Sequence, residues 1–251
     1  MPGMVAPEID RVALLLDTYL FADLSPAEVE PLARAASVRR VVRGEHIFHV
    51  GDPADQIFVV ASGELKDSVY TEDGDEVVHT LYASGMVFGE PGFFAPERNR
   101  VMAIVALEPC TLLVLGRDQF EPFLRSHPQV MLRALEGISS VARGQTELIA
   151  ALARRPLSDR LLLRLLDLVE TNAQTADGAG VTPKVSQTTL AAMVGASREN
   201  VNRALGVLAA EGIIRLEGGR YVIPDPDAVR REISQGWPQL EKRNRRSEPG
   251  A

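Results

Sequence analysis

The sequence contains a single cysteine, Cys110, in 251 residues. One thiol cannot form a structural disulfide within the chain, and it cannot supply the several sulfur ligands of a thiolate zinc site or an iron–sulfur cluster. The histidines do not have the spacing of a metal site or a catalytic triad; they are His46, His49, His79 and His127. We therefore predict no metal, no required cofactor and no catalytic residues.

Long apolar runs are also missing. No stretch approaches the roughly 18 apolar residues that a membrane helix needs, and the N-terminal segment carries Glu8 and Asp10 where a secretory signal would be basic. The content of 45% hydrophobic and 24% charged residues is typical of a globular chain. These features predict a cytoplasmic protein that does not associate with membranes.

Basic residues are scarce, because 27 lysines and arginines stand against 34 acidic residues and give a net charge of −7. Their distribution is uneven. Residues 1–153 hold 12 basic and 22 acidic side chains, and residues 154–251 hold the remaining 15 and 12. Only the C-terminal part, with its small positive excess, is suited to contact nucleic-acid phosphates.

The segment 186–214 has the pattern of two short helices joined by a sharp turn. Ser186 and Ser197 are suited to cap the two helix N-termini, and Gly195 can adopt the left-handed conformation that the turn requires. In the second helix Val201 and Leu205 fall on one face at helical spacing. The opposite face is polar, as a helix that enters a DNA groove requires.

Five residues of the second helix and its cap are predicted to bind DNA; they are Ser197, Arg198, Glu199, Asn202 and Arg203. Arginine can donate two hydrogen bonds to guanine O6 and N7, and glutamate can accept one from cytosine N4. The same pattern occurs in helices that only pack against a neighbour. The alternative is therefore a solvated helix face with no ligand.

The preceding part of the chain predicts a small antiparallel β-roll. Short β-rich runs, separated by glycine-bearing turns, occur between residues 37 and 115 and include 57–61, 77–81 and 111–114. Helices are predicted at 13–20 and 26–36 before the roll. The fold class is expected to be α+β.

Towards the C-terminus the pattern predicts a helix at 157–169, a polar loop at 172–180 and a hairpin at 212–223. The hairpin would be centred on Gly218 and Gly219. Together with the two-helix segment it forms a winged helix-turn-helix. Residues 236–251 are basic and lack apolar periodicity, which predicts a disordered tail that adds non-specific DNA affinity.

After Pro128 apolar residues recur at alternating steps of three and four, which predicts a long helix with a coiled-coil seam. We expect this seam to form a homodimer interface, although such a seam can also bury against its own domain. The polar Gln145 within it either fixes the register or contacts a ligand. The seam positions are Met131, Leu135, Ile138, Ala142, Gln145, Ile149 and Leu152.

A β-roll, a dimer helix and a winged helix-turn-helix in this order resemble the Crp/Fnr superfamily, that is, the cyclic-AMP receptor protein and fumarate–nitrate regulator superfamily, over residues 10–235. The motifs that support the resemblance are residues 51–55 with 59–63, Phe88-Gly89-Glu90 with Arg100, and residues 195–203. The resemblance implies a homodimeric transcription regulator that binds a twofold GTGA-like site in double-stranded DNA, with RNA polymerase as a further partner. It implies a sensor domain at 10–127, a dimerisation helix and hinge at 128–155 and a DNA-binding domain at 156–235.

The resemblance also implies an effector site. In the family's phosphate-binding cassette a Gly-Glu pair holds the ribose and an arginine holds the cyclic phosphate; Gly89, Glu90 and Arg100 match these positions. Val101 stands where a hydroxyl residue is expected, which removes a hydrogen bond to the phosphate. Gln145 and Thr146 align with the positions that contact the base in the family.

Three interpretations of the effector site remain open. The first is a cyclic nucleotide, with cAMP as the leading candidate and Arg98 as a substitute for the lost hydroxyl. The second is a ligand-independent regulator with a degenerate cavity, and the third is another effector. The purely structural role for Glu90 and Arg100, expected in the apo protein in any case, is a mutual salt bridge that holds the roll together. Pro91, which lacks an N–H, and Met102, which adds bulk, count against the first. A purely sensory or scaffold module is a further alternative, but it would not carry the helix pair at 186–203.

Overall fold

The computed structural model of the protein describes residues 9–71, 75–170, 175, 176 and 178–234. The predicted basic tail at 236–251 lies outside these residues. The chain forms two compact units, Met1–Leu148 and Ile149–Ala251. The fold class is α+β, as predicted.

The first unit is a β-roll with helices on either side in sequence. Its elements are α1 (Arg11–Leu16), α2 (Pro26–Ala35), β1 (Ser37–Val41), β2 (His46–Phe48), β3 (Gln56–Ser62), β4 (Leu65–Tyr70), β5 (Glu76–Val77), β6 (Leu81–Tyr82), β7 (Val87–Phe88), α3 (Glu90–Phe94), β8 (Ala103–Ala106), β9 (Cys110–Gly116), α4 (Arg117–Ser126) and most of α5 (Pro128–Arg154).

Two antiparallel sheets make up the roll. One has the strand order β1-β9-β3-β7, and the other has the order β2-β8-β4-β5 with β6 also paired to β4. Alternate side chains of β3 and β9 face the two sides of the first sheet, so Ile57 and Val59 pack into one apolar cluster while Phe58 and Val60 pack into another. The roll therefore has core on both faces of this sheet.

The prediction of one continuous strand at 77–81 is wrong for residues 78–80. The structure has β5 up to Val77 and β6 from Leu81, and residues 78–80 between them do not belong to a strand. The reason is a side chain: the buried carboxylate of Asp67 accepts hydrogen bonds from the backbone N–H groups of His79 and Thr80, at 2.8 and 2.6 Å. These donors are satisfied by a carboxylate and do not join a strand ladder.

An aromatic cluster fixes the N-terminal segment to the roll. Phe21 is fully buried and meets Phe120 and Phe123 of α4 edge to face, with ring centroids 6.2 and 5.9 Å apart. Edge-to-face pairs at this distance are favourable beyond the area that they bury. The segment between α1 and α2 is thereby held close to the sheet, which matters for the site described below at Tyr19.

Helix α5 has an inner and an outer face. Val130 and Ala134 are buried in the core of the first unit, whereas Met131, Leu135 and Ile149 are 42%, 55% and 68% exposed. These three seam residues do not bury against their own domain, which contradicts that alternative. Ala142 and Gln145 are also exposed, Ile138 is half-buried, and the side chain of Leu152 lies outside the described residues.

The second unit begins within α5 and contains the predicted winged helix-turn-helix. Its further elements are α6 (Leu157–Glu170), β10 (Thr175–Ala176), β11 (Ala179–Val181), α7 (Gln187–Val194), α8 (Arg198–Ala210), β12 (Arg215–Glu217), β13 (Arg220–Ile223) and α9 (Pro226–Ser234). The strands form one sheet in the order β10-β11-β13-β12.

The prediction of a loop at 172–180 is wrong for its second half, because β10 and β11 extend the wing sheet. Gly180 pairs with Ile223, and it lies so close to α6 that an added Cβ would be 2.5 Å from Cγ1 of Val169. Small polar residues suggested a loop, but here a glycine permits close packing of strand on helix.

We predict that Gly180→Ala destabilises the protein by about 1–3 kcal/mol, because the new methyl group overlaps Val169 and overpacks a close contact. Gly206→Ala is the control, since nothing lies within 4 Å of a Cβ at that helical position, and alanine should gain up to about 1 kcal/mol there. Urea unfolding of both variants measures the difference. Equal stabilities would contradict the close packing of β11 on α6.

Candidate functional site

The first unit encloses a cavity of about 450 Å³ between the roll and the first half of α5. Its lining comes from the segment after α1, from both sheets, from the α3 region and from α5. The lining residues are Tyr19, Phe48, Asp67, His79, Thr80, Tyr82, Met86, Val87, Gly89, Glu90, Pro91, Gly92, Arg100, Val101, Met102, Ile104, Arg133, Glu136, Gly137, Ile138, Ser140 and Val141.

Gly89 is required by the geometry at the start of α3. Its φ of 102° lies in the left-handed region, and an added Cβ would be 2.8 Å from Nη1 of Arg100. The glycine thus turns the chain sharply and lets the guanidinium approach the backbone. This places Glu90, the first residue of α3, at the cavity wall.

Arg100 is buried and held in one orientation. Its Nη1 donates to the carbonyl of Gly89 at 3.0 Å and its Nη2 to the carbonyl of Gln56 at 2.7 Å, and the group lies 4.1 Å from the centre of the Phe48 ring. Nε has no hydrogen-bond partner within the described residues. Burial lowers the pKa of Arg100 to about 10, so it stays charged at neutral pH. A cation with N–H groups to spare can hold an anion.

Glu90 is buried and, among the described residues, does not form the salt bridge with Arg100 that was expected as its structural role. Its Oε1 instead accepts a hydrogen bond from the Tyr19 hydroxyl at 2.8 Å. Burial raises the pKa of Glu90, and the hydrogen bonds that it accepts and the charge of Arg100 oppose this effect. The prediction of an ion pair is wrong because the Arg100 guanidinium already donates hydrogen bonds to two backbone carbonyls.

Tyr19 is a residue of the cavity that sequence analysis missed. Its hydroxyl contacts α5 at Gly137, where an added Cβ would overlap the phenol oxygen. Burial and the neighbouring carboxylate of Glu90 raise the pKa of Tyr19, so it is a neutral donor. No local pattern could have identified it, since 71 residues separate Tyr19 from Glu90.

A second polar part of the wall was also missed. Asp67 is fully buried, and besides the two backbone donors it lies 3.4 Å from the hydroxyl of Tyr82 and 3.6 Å from Nδ1 of His79. The pKa of Tyr82 is raised by burial and by the charge of Asp67. The cavity therefore carries two buried carboxylates, those of Asp67 and Glu90, and one buried guanidinium, that of Arg100, and the less buried Arg133 and Glu136 of α5 also line it.

Other predicted effector residues fall at different places. Val101 lines the cavity and is 53% exposed. Gln145 and Thr146 are exposed on α5 outside the lining, and the Thr146 hydroxyl donates to the carbonyl of Ala142. Arg98 lines a separate surface groove with Phe94 and Arg117, so its expected role as a substitute for the missing hydroxyl is wrong.

The second unit contains the predicted helix pair with its predicted caps. Ser186 accepts from the N–H of Thr189, Ser197 accepts from the N–H of Asn200, and Gly195 has φ 60° and ψ 53° at the turn. Helix α8 is amphipathic as predicted, with Val201 fully buried, whereas α7 buries most of its side chains, among them Leu190. Local capping and periodicity were sufficient to predict this motif.

The polar face of α8 is open to solvent. Arg198, Glu199, Asn202 and Arg203 are exposed, together with the cap Ser197. Within the described part of the chain, Arg198, Glu199 and Arg203 form no ion pair. Cationic and acidic side chains are thus presented together on one exposed helix, as base recognition in a major groove requires.

A β-roll that carries a cavity, followed in the chain by a winged helix-turn-helix, defines a class of DNA-binding transcription regulators, and comparison with known proteins agrees. Residues 38–127 match the cyclic nucleotide-binding domain family, and residues 159–232 match the Crp-like helix-turn-helix domain family. The chain is 32% identical over 226 residues to the cyclic AMP receptor protein of Thermus thermophilus, covering 86% of this chain and 97% of that protein.

Two further relatives are similar over most of their length. A CRP-like cAMP-activated global transcriptional regulator of Mycobacterium tuberculosis is 28% identical over 219 residues, covering 87% of this chain and 97% of the relative. The solved structure of a Crp/Fnr-family transcriptional regulator from Thermus thermophilus has 26% identity and a TM-score of 0.61, covering 80% of this chain and 99% of that one.

The chain belongs to the Crp/Fnr superfamily, and it is a transcription regulator with a cyclic nucleotide-binding domain and a helix-turn-helix domain. Its relatives are regulators and not enzymes. Within the described residues, no helix combines the length and the apolar character needed to cross a membrane.

We predict that Tyr19→Phe destabilises the protein by about 1–3 kcal/mol, because it removes a hydrogen-bond donor from a buried carboxylate. The loss should be larger at pH 8 than at pH 5. The phenol stabilises the ionised form of Glu90, and the raised pKa of Glu90 means that this form accumulates only as the pH rises above the usual carboxyl range.

Urea unfolding at both pH values measures this effect, with Tyr70→Phe as the matched control. Tyr70 is 55% exposed and its hydroxyl makes only a long 3.5 Å contact with Glu76. Similar small losses for both variants at both pH values would contradict a structural role for the Tyr19 hydroxyl.

Proposed function

We propose that the protein is a homodimeric regulator that binds a twofold, GTGA-like site in double-stranded DNA through α8 and responds to an effector in the cavity of its first unit. The observation that supports this most directly is the exposed set Arg198, Glu199 and Arg203 on the second helix of a capped helix-turn-helix. RNA polymerase is the expected protein partner. Since chromosomal DNA is the proposed target, we infer a cytoplasmic location.

DNA recognition follows from the chemistry of α8. Arg198 and Arg203 each offer a planar set of donors that matches guanine O6 and N7, and Glu199 offers an acceptor for cytosine N4. Ser197 and Asn202 complete the proposed contact set. In a dimer the two reading helices would insert roughly one DNA turn apart, about 34 Å, which accounts for a twofold site.

The dimer interface is proposed along α5. Large apolar side chains at Met131, Leu135 and Ile149 are exposed on this 27-residue helix, and a second copy of the helix would remove them from water. Ile138, Ala142, Gln145 and Leu152 belong to the same proposed seam. Functionally, we assign residues 10–127 to the sensor, 128–155 to dimerisation and hinge, and 156–235 to DNA binding.

A cyclic nucleotide is the effector that the cavity chemistry favours. Arg100 offers N–H groups to a phosphodiester, and Glu90 offers acceptors to a ribose hydroxyl, with Gly89 shaping the approach. Two relatives are named for cAMP, so cAMP is the first candidate. The valine at 101 supplies no hydroxyl to the phosphate. Gln145 and Thr146 would reach the base only through a rearrangement or from the partner subunit.

A ligand-independent regulator is the second candidate, and one observation favours it. The guanidinium of Arg100 is engaged by two backbone carbonyls and Glu90 is engaged by Tyr19, so the charged groups of the cavity are stabilised by the protein itself. In the effector-gated case, occupancy would change the packing of the paired α5 helices and swing the DNA-binding domains about residues 154–157.

Fluorescence anisotropy separates these candidates. The full-length protein is titrated onto a palindromic GTGA-containing duplex and onto a scrambled duplex, at fixed salt near 150 mM, with and without cAMP or cGMP. Tighter specific binding with one nucleotide supports gating. Specific binding that neither nucleotide changes supports the ligand-independent regulator or another effector, and equal binding to both duplexes refutes sequence recognition at this site.

We expect Arg198→Ala to weaken binding to the GTGA duplex by about 1–3 kcal/mol and to relax the preference at one base pair, because a base-specific contact is lost. Arg215→Ala, in the wing strand β12, is the control and should change affinity for all duplexes equally or not at all. Anisotropy on a set of singly substituted duplexes measures both. The assignment of Arg198 to base recognition is wrong if Arg198→Ala weakens binding to the GTGA duplex and to the scrambled duplex by the same factor.

We expect Val101→Thr to increase cyclic-nucleotide affinity about ten- to hundredfold, because it restores a hydroxyl donor to a charged phosphate. Val69→Thr, on β4 and outside the cavity lining, is the control and should have no effect. Isothermal titration calorimetry with cAMP and cGMP gives the dissociation constants. If neither Val101→Thr nor the wild type binds either nucleotide, the cavity does not serve a cyclic nucleotide.

A further inference from the structure

A hydrogen bond between two side-chain amides links the helices of the DNA-binding motif. Nε2 of Gln187, the first residue of α7, donates to Oδ1 of Asn202 on the exposed face of α8 at 2.9 Å. Gln187 also lies near Tyr221, a buried residue of the wing strand β13, where it opposes the rise that burial causes in the pKa of the Tyr221 hydroxyl. Gln187 therefore lies between the wing and the reading helix, and its hydrogen bond is to the reading helix.

The contact with Gln187 distinguishes the two ends of the Asn202 amide. An amide carries an acceptor oxygen and a donor nitrogen of similar size, so an unrestrained asparagine can present either end. Because Gln187 donates to Oδ1, both N–H groups of Asn202 remain available for another acceptor. Turning the Asn202 amide over on its own would bring two N–H donors together and lose the hydrogen bond, so the pair can reverse only if both amides turn together.

We propose that Gln187 is a positioning residue that fixes the orientation of the Asn202 amide, so that Asn202 acts as a donor and selects a base edge that presents an acceptor. Guanine N7 and O6 and thymine O4 are such acceptors in the major groove, whereas cytosine N4 is a donor. Gln187 thereby sets specificity at one base pair without contacting the base. This inference rests on the proposed function of α8 in DNA reading.

The alternative role for Gln187 is a contact with phosphate or simple packing between helices. Phosphate contacts fix the position of a protein on DNA but carry no sequence information. Their loss therefore weakens binding to all duplexes by the same factor. Base preference, and not affinity alone, is the measurement that distinguishes the two roles.

The experiment uses the full-length protein and starts from the duplex that the wild type selects from a random-sequence pool. Anisotropy titrations then cover all four bases at each half-site position at fixed salt. In Gln187→Glu the side chain can no longer donate, so the Asn202 amide is expected to turn its nitrogen to the carboxylate and present its oxygen. We expect the preference at one base pair to shift about tenfold towards a donor edge.

Thr188→Glu is the matched control, because it adds the same charge at the exposed neighbouring residue of α7. It should weaken binding to every duplex evenly through repulsion of phosphates and leave the base preference unchanged. Circular dichroism and thermal unfolding verify that each variant is folded. Should Gln187→Glu fail to fold, Gln187→Ala replaces it, with loss of preference at the same base pair as the expected result.

The effect must also depend on Asn202. In the Asn202→Ala background, Gln187→Ala should produce no further change in base preference, since the side chain that it orients is gone. A change in base preference that persists in this background would overturn the proposal. The same change in base preference in Gln187→Glu and Thr188→Glu would also overturn it.

If the wild type selects a sequence but Asn202→Ala changes no base preference, DNA reading stands and the positioning role is refuted. If the wild type selects no sequence, the proposed function fails, and this inference fails with it.

Discussion

The burial of the Glu90 carboxylate is the constraint on which the sensor unit depends. A charge taken out of water needs donors or cations close by, and here the Tyr19 hydroxyl supplies a donor while Arg100 lies in the same cavity wall. That need connects three distant parts of the chain. The segment after α1 is held by the Phe21 cluster, the glycine turn at Gly89 brings the carboxylate inward, and α5 is glycine where the phenol touches it. The cavity is the space that these contacts leave.

The same arrangement determines what a ligand would meet. Tyr19 uses one lone pair of Oε1, and a carboxylate has further acceptor sites. A ligand hydroxyl can therefore share Glu90 with Tyr19 and need not displace it. Through that shared carboxylate the ligand would be one hydrogen bond from Tyr19 and one contact from Gly137 of α5. Asp67 imposes a second condition, because a buried carboxylate near the ligand disfavours an anion on that side. The phosphate side of any cyclic nucleotide is thus the side of Arg100.

Sequence predicted well what depends on near neighbours. The caps at Ser186 and Ser197, the left-handed Gly195 and the polar face of α8 follow from residues a few positions apart, and the structure confirms them. The Gly89, Glu90 and Arg100 set was likewise found at the cavity. What sequence missed depends on long-range contacts: Tyr19 with Glu90, the Asp67 carboxylate that interrupts a predicted strand, and the strand at Gly180. In each case the decisive partner is distant in the chain, 12 residues away for Asp67 and His79 and 71 for Tyr19 and Glu90, and no periodicity records it.

Helix α5 combines two surfaces that are commonly assigned to different elements. Gly137, Ile138 and Val141 line the cavity, while Leu135 on the same helix is largely exposed and lies on the proposed dimer seam. Ile138 belongs to both surfaces. A rigid helix cannot move one face without the other, so a ligand that shifts α5 by a fraction of an ångström would change the packing of the seam directly. Coupling between effector and dimer would then require no extended pathway through the roll, and its strength would depend on how differently the two packings of α5 bind the effector.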